Sequence, residues 1–512
     1  MNHCAFIVFC WACVQAFAVG LALAEEDPTI EKARRESLRR DWKIVSGSLE
    51  GPEYRAVQLV NAELGRFLVR DAGVYAIHTL PVVRAGDSRP IPGRNEVIIG
   101  TPENNPRLAG YVARSEIPAN GYCVRAFEGE NGKVIAIAGD TPEAVLYGAV
   151  DFVEDGLPAL AARLGNGIVM PDYTFDGRAF RTRYESRRAP RTRIRSVFTW
   201  GHVISDYQEY FRNLARLKLN EVILWNDYEP LNAREIVACA HSWGIKVIWG
   251  FAWGWTTGQC REAKLDDESL KRLENDIVSA WRDTWGRLPG DGIYFQSFTE
   301  TRADNHGGRT IASAVVRLVN ATSARIWAER PDQRIIFGLH ATSVRDHLDE
   351  IDRTDPRMEI YWEDFGGFPF DVRGGRVLSS ADEALASRLS AGERPVGLVY
   401  KCQLFQDWKN FFHQNGPYLL GEAGPRVMSH DVAVTTDPWR GYTNLWLEHG
   451  ERAHAVTQAL QRAGKTPALC LAGNFNGPLY YPAALAAELF WSADEPYETI
   501  RARVLGRMNV MR

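Results

Sequence analysis

The chain has 512 residues, of which 45% are hydrophobic and 24% are charged, and its formal net charge is −4. This length is too great for one ordinary domain and suits a barrel of the usual size with a smaller partner domain. Charges of both signs are interspersed, so neither nucleic acid nor an anionic membrane surface is expected as a partner. The composition predicts a globular protein of two domains.

The N-terminal segment is apolar. No charged residue occurs over residues 5–23, and Ala22 and Ala24 form the small-x-small pattern of a signal-peptidase site. We predict a signal peptide over residues 1–24 and a secreted or periplasmic protein, with no membrane association after cleavage. Because the first residues lack Lys and Arg, an uncleaved leader that anchors the protein in the membrane is the alternative.

The sequence contains no recognisable metal or nucleotide motif. The cysteines outside the leader are widely spaced, and no CxxC, HExxH or clustered His/Cys set occurs. No GxGxxG follows the first barrel strand, and GxxxxGK[ST] is absent as well. We therefore expect neither a metal nor a cofactor, and nothing in the sequence indicates the oligomeric state.

Two segments precede the large domain. Residues 25–50 are charged and helix-prone and are predicted to form a leading helical arm. Residues 51–178 are predicted to form a small α/β sandwich domain from five elements. These elements are a helix over 54–69, strands over 96–100, 121–127 and 133–138, and a helix over 141–154 that Thr141 caps.

Parts of this small domain match a known pattern. The matching segments are VIIGTPENN at 97–105, GYCVRAF at 121–127 and GKVIAIAGDTPEAVLYGAVDFVE at 132–154. Together they resemble the N-terminal domain that precedes the catalytic barrel in β-hexosaminidases and α-glucuronidases. The resemblance implies that a glycosidase barrel follows.

Strands and helices alternate over residues 179–512. Eight strand–helix pairs predict a (β/α)8 TIM barrel, and a doubly wound sheet is the structural alternative. The predicted strands lie at 195–200, 221–225, 246–251, 291–300, 334–339, 358–362, 396–400 and 468–471. The main predicted helices lie at 206–219, 232–243, 266–285, 310–330, 445–463 and 482–507.

In a TIM barrel, the residues just past each strand face one pocket at the C-terminal mouth. Here those residues are carboxylates, tryptophans, amides and a few cations, which suit a carbohydrate because aromatic faces stack on sugar rings. The tryptophans on the predicted helices are assigned to the core instead. The candidate substrate-binding residues are Trp200, His202, Trp225, Asn226, Asp227, Trp253, Arg302, His340, Trp362, Lys401, Asp407, Trp408 and Asn474.

Two carboxyl groups are the usual requirement of glycosidic hydrolysis. Glu300, at the end of the fourth strand, is the candidate acid, and the second carboxylate is expected from Glu363 or Asp364 after the sixth strand. Asp407 and Asp227 are reserves. A separation of about 6.5 to 9.5 Å between the two carboxyl groups would favour inversion, and about 5 to 5.5 Å would favour retention.

A second resemblance lies in the barrel. The segment LVYKCQLFQDWKN at 398–410 is similar to the seventh-strand segment of α-glucuronidases, which are inverting exo-hydrolases that remove terminal glucuronic acid from xylan fragments. The resemblance implies that Glu300 is the acid and leaves the base open among Glu363, Asp364 and Asp407. Thr299 stands before Glu300, whereas β-hexosaminidases carry an Asp-Glu pair there.

These observations predict a secreted, exo-acting, α-glucuronidase-like glycoside hydrolase with an oligosaccharide substrate. A uronate substrate would need a cation, for which Arg302, Arg309 and Lys401 are candidates. One alternative is a β-N-acetylhexosaminidase-like glycosidase. The other is a non-catalytic glycan-binding barrel, because a fold does not guarantee an activity.

Overall fold

The computed structural model describes most of both domains. The described residues are 42–67, 80–87, 95–129, 132–160, 183–199, 204, 206–225, 228–255, 264–301, 303–340, 343–363, 370–371, 376–377, 394, 396–400, 419–421, 425–472 and 480–510. The predicted signal peptide lies outside them. No helix among these residues is both long enough and apolar enough to span a bilayer.

The small domain is a mixed sheet with two helices on one face. Its strands are β1 (Lys43–Ser46), β2 (Val82–Arg84), β3 (Glu96–Gly100), β4 (Tyr122–Gly129), β5 (Gly132–Gly139) and β6 (Tyr184–Arg188). The order across the sheet is β2-β1-β3-β5-β4-β6, and β4 runs antiparallel to both of its neighbours. The helices are α1 (Gly51–Phe67) and α2 (Pro142–Asp151).

Local sequence explains how α2 begins and how it packs. The Thr141 hydroxyl accepts a hydrogen bond from the Ala144 N–H at 3.2 Å. Pro142 occupies the first helical position, where the N–H that proline lacks would have no partner within the helix. Gly148 lies against Tyr122 and Ile137, where a Cβ atom would be in tight contact. The absence of a side chain at Gly148 therefore lets α2 pack closely on the sheet.

The boundaries of the small domain differ from the predicted ones at both ends. Lys43–Ser46 falls within the predicted helical arm but is a buried strand that pairs in parallel with β2 and β3. Tyr184–Arg188 falls within the predicted barrel segment but pairs with β4 in the small sheet. The six strands of this sheet therefore come from residues 43–188.

The large domain is a closed barrel of eight parallel strands, as predicted. The strands are β7 (Ile194–Phe198), β8 (Glu221–Trp225), β9 (Lys246–Ala252), β10 (Gly292–Gln296), β11 (Ile335–Leu339), β12 (Glu359–Trp362), β13 (Val396–Tyr400) and β14 (Ala468–Ala472). The first and last strands pair with each other, so the sheet has no open edge. All eight predicted strands are confirmed.

The helices around the barrel follow the predicted alternation with two differences. They are α3 (Tyr207–Arg216), α4 (Ala233–Ser242), α5 (Asp267–Asp283), α6 (Ile311–Glu329), α7 (Leu348–Ile351), α8 (Pro425–Ala463), α9 (Tyr481–Trp491) and α10 (Tyr497–Val510). Helix α8 has 39 residues and begins well before the predicted start. The last predicted helix is two helices, because the chain leaves helical geometry at Ser492 and Pro496 lies in the connection.

The N-terminal end of the barrel lumen is filled by a charged cluster, the base ring, formed by Glu221, Arg334, Glu359 and Tyr361. Arg334 pairs with Glu221 and donates to Glu359 at 2.7 and 2.8 Å, and the Tyr361 hydroxyl donates to Glu221 at 3.0 Å. Burial by itself would lower the pKa of Arg334, but the two carboxylates outweigh it and raise that pKa. The cluster seals the lumen from below.

A second charged cluster joins the two domains. Arg188 on β6 pairs with Glu488 on α9, and Glu488 also accepts hydrogen bonds from Arg503 at 3.1 Å and Arg507 at 2.8 Å. Arg507 donates in addition to Asp155 of the small domain at 2.6 Å. Although burial alone would raise it, these cations hold the pKa of Glu488 well below its usual value.

Lys218 lies inside this interface in an unusual environment. It is 1% exposed, its backbone is left-handed at φ 57°, and its ammonium lies 5.7 and 5.0 Å from the ring centroids of Tyr122 and Trp491. Burial lowers the pKa of Lys218 to about 8, even though the charges of Glu488 and Asp151 act in the opposite direction.

Candidate active site

Glu300 is placed at the C-terminal mouth by a buried turn. Strand β10 ends at Gln296, and the three residues that follow it are buried before the chain reaches Glu300. The Ser343 hydroxyl donates to the Thr299 carbonyl at 2.7 Å and fixes this turn against the loop after β11. The Glu300 side chain is 44% exposed, so the carboxyl group is anchored yet open to a ligand.

Two neighbouring side chains surround the Glu300 carboxyl group. The indole N–H of Trp255 donates to Oε2 at 2.8 Å, and Nε2 of His340 lies 4.0 Å from the same oxygen. His340 directly follows β11, as predicted. These three residues come from the loops after three consecutive strands, which the closed barrel brings to one rim.

Glu363 lies at the same end of the barrel but is fully buried. Its Oε1 accepts a short hydrogen bond from the Tyr294 hydroxyl and another from Nε2 of Gln296 at 2.7 Å. Strand β11 runs between β10 and β12, and its Gly338 lies beside both groups, where a Cβ atom would collide with the hydroxyl and the carboxylate. The missing side chain at Gly338 therefore lets β10 and β12 meet across the intervening strand.

An aromatic layer lies at the top of the lumen near both carboxylates. Trp225 meets Trp255 edge-on at 6.2 Å and Tyr294 edge-on at 6.2 Å, and Phe198 packs 4.9 Å from Tyr294. Trp255 contacts Glu300 and Tyr294 contacts Glu363, so the layer links the two carboxylates. It forms the floor of the site.

Two of the predicted pocket tryptophans face away from the lumen. Trp253 is fully buried and stacks on Phe295 at 3.8 Å, and Trp362 is 1% exposed in the same outer core. Side chains alternate in direction along a strand. Trp253 therefore points outward to the helices, as Trp249 does, and Trp362 points outward because its neighbour Tyr361 points into the lumen. The structure corrects the prediction for both residues.

The structure brings four predicted residues, Glu300, His340, Glu363 and Trp225, to one mouth. Ten further predicted residues lie outside the described residues: Trp200, His202, Asn226, Asp227, Arg302, Asp364, Lys401, Asp407, Trp408 and Asn474. Sequence reasoning missed the roles of Tyr294 and Gln296 as partners of Glu363. Tyr294 and Gln296 are two positions apart on β10, so their side chains face the same side of the strand, the lumen. This spacing was the available signal in the sequence.

The arrangement combines one accessible carboxyl group with one buried carboxylate above an aromatic floor. An accessible carboxyl group can deliver a proton to a ligand oxygen, whereas a buried carboxylate can stabilise positive charge in a site of low dielectric constant. A fully buried Glu363 is not placed to activate a water from solvent. Among the described residues, no group of three or more His, Cys, Asp or Glu side chains could hold a metal ion.

Comparison with known proteins matches both domains to glycoside hydrolases. The family model described as Glycosyl hydrolase family 67 N-terminus matches residues 31–152. A search of curated proteins finds no match. Among solved structures, CpGH84B aligns over 91% of this chain and 70% of its own, with a TM-score of 0.50 and 10% identity.

Two other solved structures align at similar levels. BtGH115A, described as a family GH115 4-O-methyl-α-glucuronidase with specificity for decorated arabinogalactans, aligns over 92% of this chain and 60% of its own (TM-score 0.46, 12% identity). A family 89 glycoside hydrolase from Clostridium perfringens aligns over 89% of this chain and 50% of its own, with a TM-score of 0.46 and 9% identity. At these identities the likeness to solved structures shows the fold alone.

The fold and the domain pairing define the class of this protein. A small domain that matches the family 67 N-terminal model precedes a closed (β/α)8 barrel, and that is the architecture of a glycoside hydrolase. The predicted resemblance to glucuronidase-like and hexosaminidase-like glycoside hydrolases is confirmed for the fold and for the pairing of the two domains.

Proposed function

We propose that this glycoside hydrolase is an exo-acting, α-glucuronidase-like enzyme that removes a terminal sugar at the C-terminal mouth of the barrel. The observation that carries the proposal is the placement of Glu300. Its half-exposed carboxyl group is anchored after the fourth strand and stands beside an aromatic floor that also contacts the buried Glu363.

In the proposed reaction, protonated Glu300 donates its proton to the glycosidic oxygen as the bond to the anomeric carbon breaks. The bonding electron pair leaves with that oxygen, and positive charge develops on the anomeric carbon and the ring oxygen. The Glu363 carboxylate, fixed by Tyr294 and Gln296, stabilises this charge from below. Water then adds to the anomeric carbon and loses a proton to a carboxylate.

The base that accepts the proton from water is assigned to Glu363, Asp364 or Asp407. Glu363 could serve only if the substrate opened a path for water to it, because its side chain is fully buried. Glutamine and asparagine variants of the three residues would separate them. The true base is the one whose variant regains turnover when azide or formate replaces the missing carboxylate.

The lumen below the site is filled by side chains. Phe198, Trp225 and Tyr294 occupy its upper part, and the base ring closes its lower end. The exo-acting mode is proposed from the resemblance of the sequence to α-glucuronidases.

The uronate preference rests on the resemblance of the sequence to α-glucuronidases and on the candidate cations. Arg309, one of the three predicted partners of a uronate, is already engaged, since it donates to the Leu265 carbonyl at 2.8 Å and to Asp267 at 2.9 Å. Arg302 and Lys401 remain as the proposed partners of the sugar carboxylate.

We also propose that the protein is exported through its apolar leader. N-terminal sequencing of protein secreted by the producing cell should begin at Glu25. Full-length protein retained in the membrane fraction would support the alternative of an uncleaved anchor.

Hydrolysis of a panel of nitrophenyl glycosides tests the proposal. We expect turnover of an α-glucuronide and, on the methyl glycoside of that sugar, a fall of about 10²- to 10⁴-fold in Glu300→Gln, because that variant cannot donate the proton that a poor leaving group needs. The control is Glu268→Gln, the same change at an exposed glutamate on α5. Turnover of an N-acetylhexosaminide instead would favour the hexosaminidase-like reading, and binding without turnover would identify a glycan-binding barrel.

A further inference from the structure

We propose that Trp255 is a positioning residue that holds Glu300 so that its proton is carried on Oε1 and directed at the glycosidic oxygen. The inference rests on the proposed function and deepens it. It starts from one contact, the 2.8 Å hydrogen bond from the Trp255 indole N–H to Oε2 of Glu300.

The direction of Trp255 is set by a break in strand alternation. Ala252 faces the lumen and Trp253 faces the outer core, so a continued strand would turn Trp255 outward as well. Gly254 instead adopts a left-handed backbone at φ 82°, and its position against Leu273 and Phe298 leaves little room for a Cβ atom. This turn brings Trp255 to the lumen side, where it reaches Glu300.

The indole ring is held rigidly enough to act as a fixed donor. It packs edge-on against Trp225, with an angle of 87° between the two ring planes. Trp225 is itself buried against Phe198 and Tyr294. A donor supported in this way fixes the carboxyl group that it contacts, which is the usual requirement for a positioned acid.

The chemistry of the indole group selects which carboxyl oxygen carries the proton. An indole nitrogen only donates, so the Glu300 oxygen that it contacts must be an acceptor. The acidic proton therefore lies on Oε1, on the side of the carboxyl group away from Trp255. The His340 Nε2 atom is 4.0 Å from Oε2, beyond hydrogen-bond distance, so among the described residues the indole is the donor in direct contact.

The same contact strengthens during the reaction. As the proton leaves Oε1 for the glycosidic oxygen, Glu300 becomes a carboxylate and the Trp255 hydrogen bond becomes charge-assisted. An interaction that is stronger in the transition state than in the ground state raises kcat. We expect removal of the indole N–H to lower kcat by about tenfold to a hundredfold with little change in KM.

The variant Trp255→Phe tests the proposal with two glycosides of the sugar that the nitrophenyl panel identifies. Protonation matters for a methyl glycoside, whose leaving group is a poor one, and matters little for a 2,4-dinitrophenyl glycoside. We expect kcat to fall about tenfold to a hundredfold on the first and less than about threefold on the second, with Glu300→Gln showing the same selectivity. Equal losses on both substrates, or no loss on either, would overturn the proposal.

Trp253→Phe is the matched control for loss of packing. It changes the same residue type two positions earlier, at a side chain buried in the outer core. We expect a lower melting temperature and equal effects on the two substrates. If Trp253→Phe showed the selective loss instead, the effect would belong to the loop as a whole and the assignment to Trp255 would fail.

A measurement that needs no turnover tests the contact itself. In protein labelled with 5-fluorotryptophan, the ¹⁹F resonance missing from Trp255→Phe identifies Trp255. That resonance should move in Glu300→Gln more than any other, and an unmoved resonance would overturn the proposal. If it moves while wild-type protein hydrolyses no glycoside, the proposed function and the catalytic role fail together, and the contact stands.

Discussion

Both ends of the barrel lumen contain a buried glutamate that a tyrosine on another strand contacts. At the base, Tyr361 donates to Glu221, which also pairs with Arg334; at the mouth, Tyr294 donates to Glu363. The base ring thus includes its own cation, and at the mouth the neutral Gln296 amide donates a second hydrogen bond to Glu363. We propose that the charges at the base stabilise the fold and that those at the mouth serve the proposed reaction.

The largest expected effect on stability is at the base. Glu221→Gln removes the carboxylate that pairs with Arg334 and should lower the free energy of unfolding by about 3 to 5 kcal/mol. Urea unfolding measures this loss, and turnover per folded molecule should stay unchanged. A loss below about 0.5 kcal/mol would show that Glu359 alone satisfies Arg334, and the account of the base would be wrong.

Lys218 extends the comparison to the domain interface, where a buried cation is held with a lowered pKa. Between its folded pKa of about 8 and its ordinary value of 10.5, the unfolded state binds more protons, so stability should rise with pH in that window. The gain should reach roughly 3 kcal/mol by pH 10.5.

Lys218→Met should remove that gain. Glu488 and Asp151, which face Lys218, both have lowered pKa values and do not titrate in this window. The difference in unfolding free energy between wild type and variant therefore isolates the lysine. Parallel pH profiles for the two proteins would show that Lys218 titrates at an ordinary pKa.

Gly338→Ala tests whether Tyr294 and Glu363 must meet across β11 for the enzyme to work. A Cβ atom there would displace both groups, which should cost about 1 to 3 kcal/mol of stability and also slow turnover. The matched control is Gly397→Ala on β13, where a Cβ atom would meet the Tyr361 ring rather than the mouth carboxylate. If the Gly338 variant kept full turnover, the position of Glu363 would not matter to the reaction.

The smallest expected effects come from a matched pair of tyrosines. Tyr361→Phe and Tyr294→Phe each remove one hydroxyl group that donates to a buried glutamate, and each should cost about 1 kcal/mol of stability. Only Tyr294→Phe should slow turnover. If the two variants lost activity equally, the two ends of the lumen would not differ in function.

The barrel was predictable because its strands are short apolar runs between capped helices. Asp206, Asp266 and Thr310 cap three of these helices with side-chain hydrogen bonds, and each stands at a predicted helix start. The strand Lys43–Ser46 was not predicted, because a helix-prone charged run precedes it in the sequence and its partners, Val82–Arg84 and Glu96–Gly100, lie far along the chain.

The candidate site was predictable only in part. Glu300 follows an apolar strand, so its place at the mouth followed from the sequence. The prediction that Trp253 lines the pocket was wrong, although alternation along β9 gives its outward direction. The inward direction of Trp255 depends on the left-handed backbone of Gly254. The Tyr294–Glu363 contact depends on the barrel register around Gly338, which no local pattern encodes.

Turnover by Glu300→Gln, measured beside its free energy of unfolding, tests the central claim most directly. Glu300 is half exposed, so its replacement should change stability by less than about 0.5 kcal/mol. Turnover of the methyl glycoside of the preferred sugar should fall at least about a hundredfold. Turnover close to that of wild type in a stably folded variant would contradict the claim that this mouth performs the chemistry through Glu300.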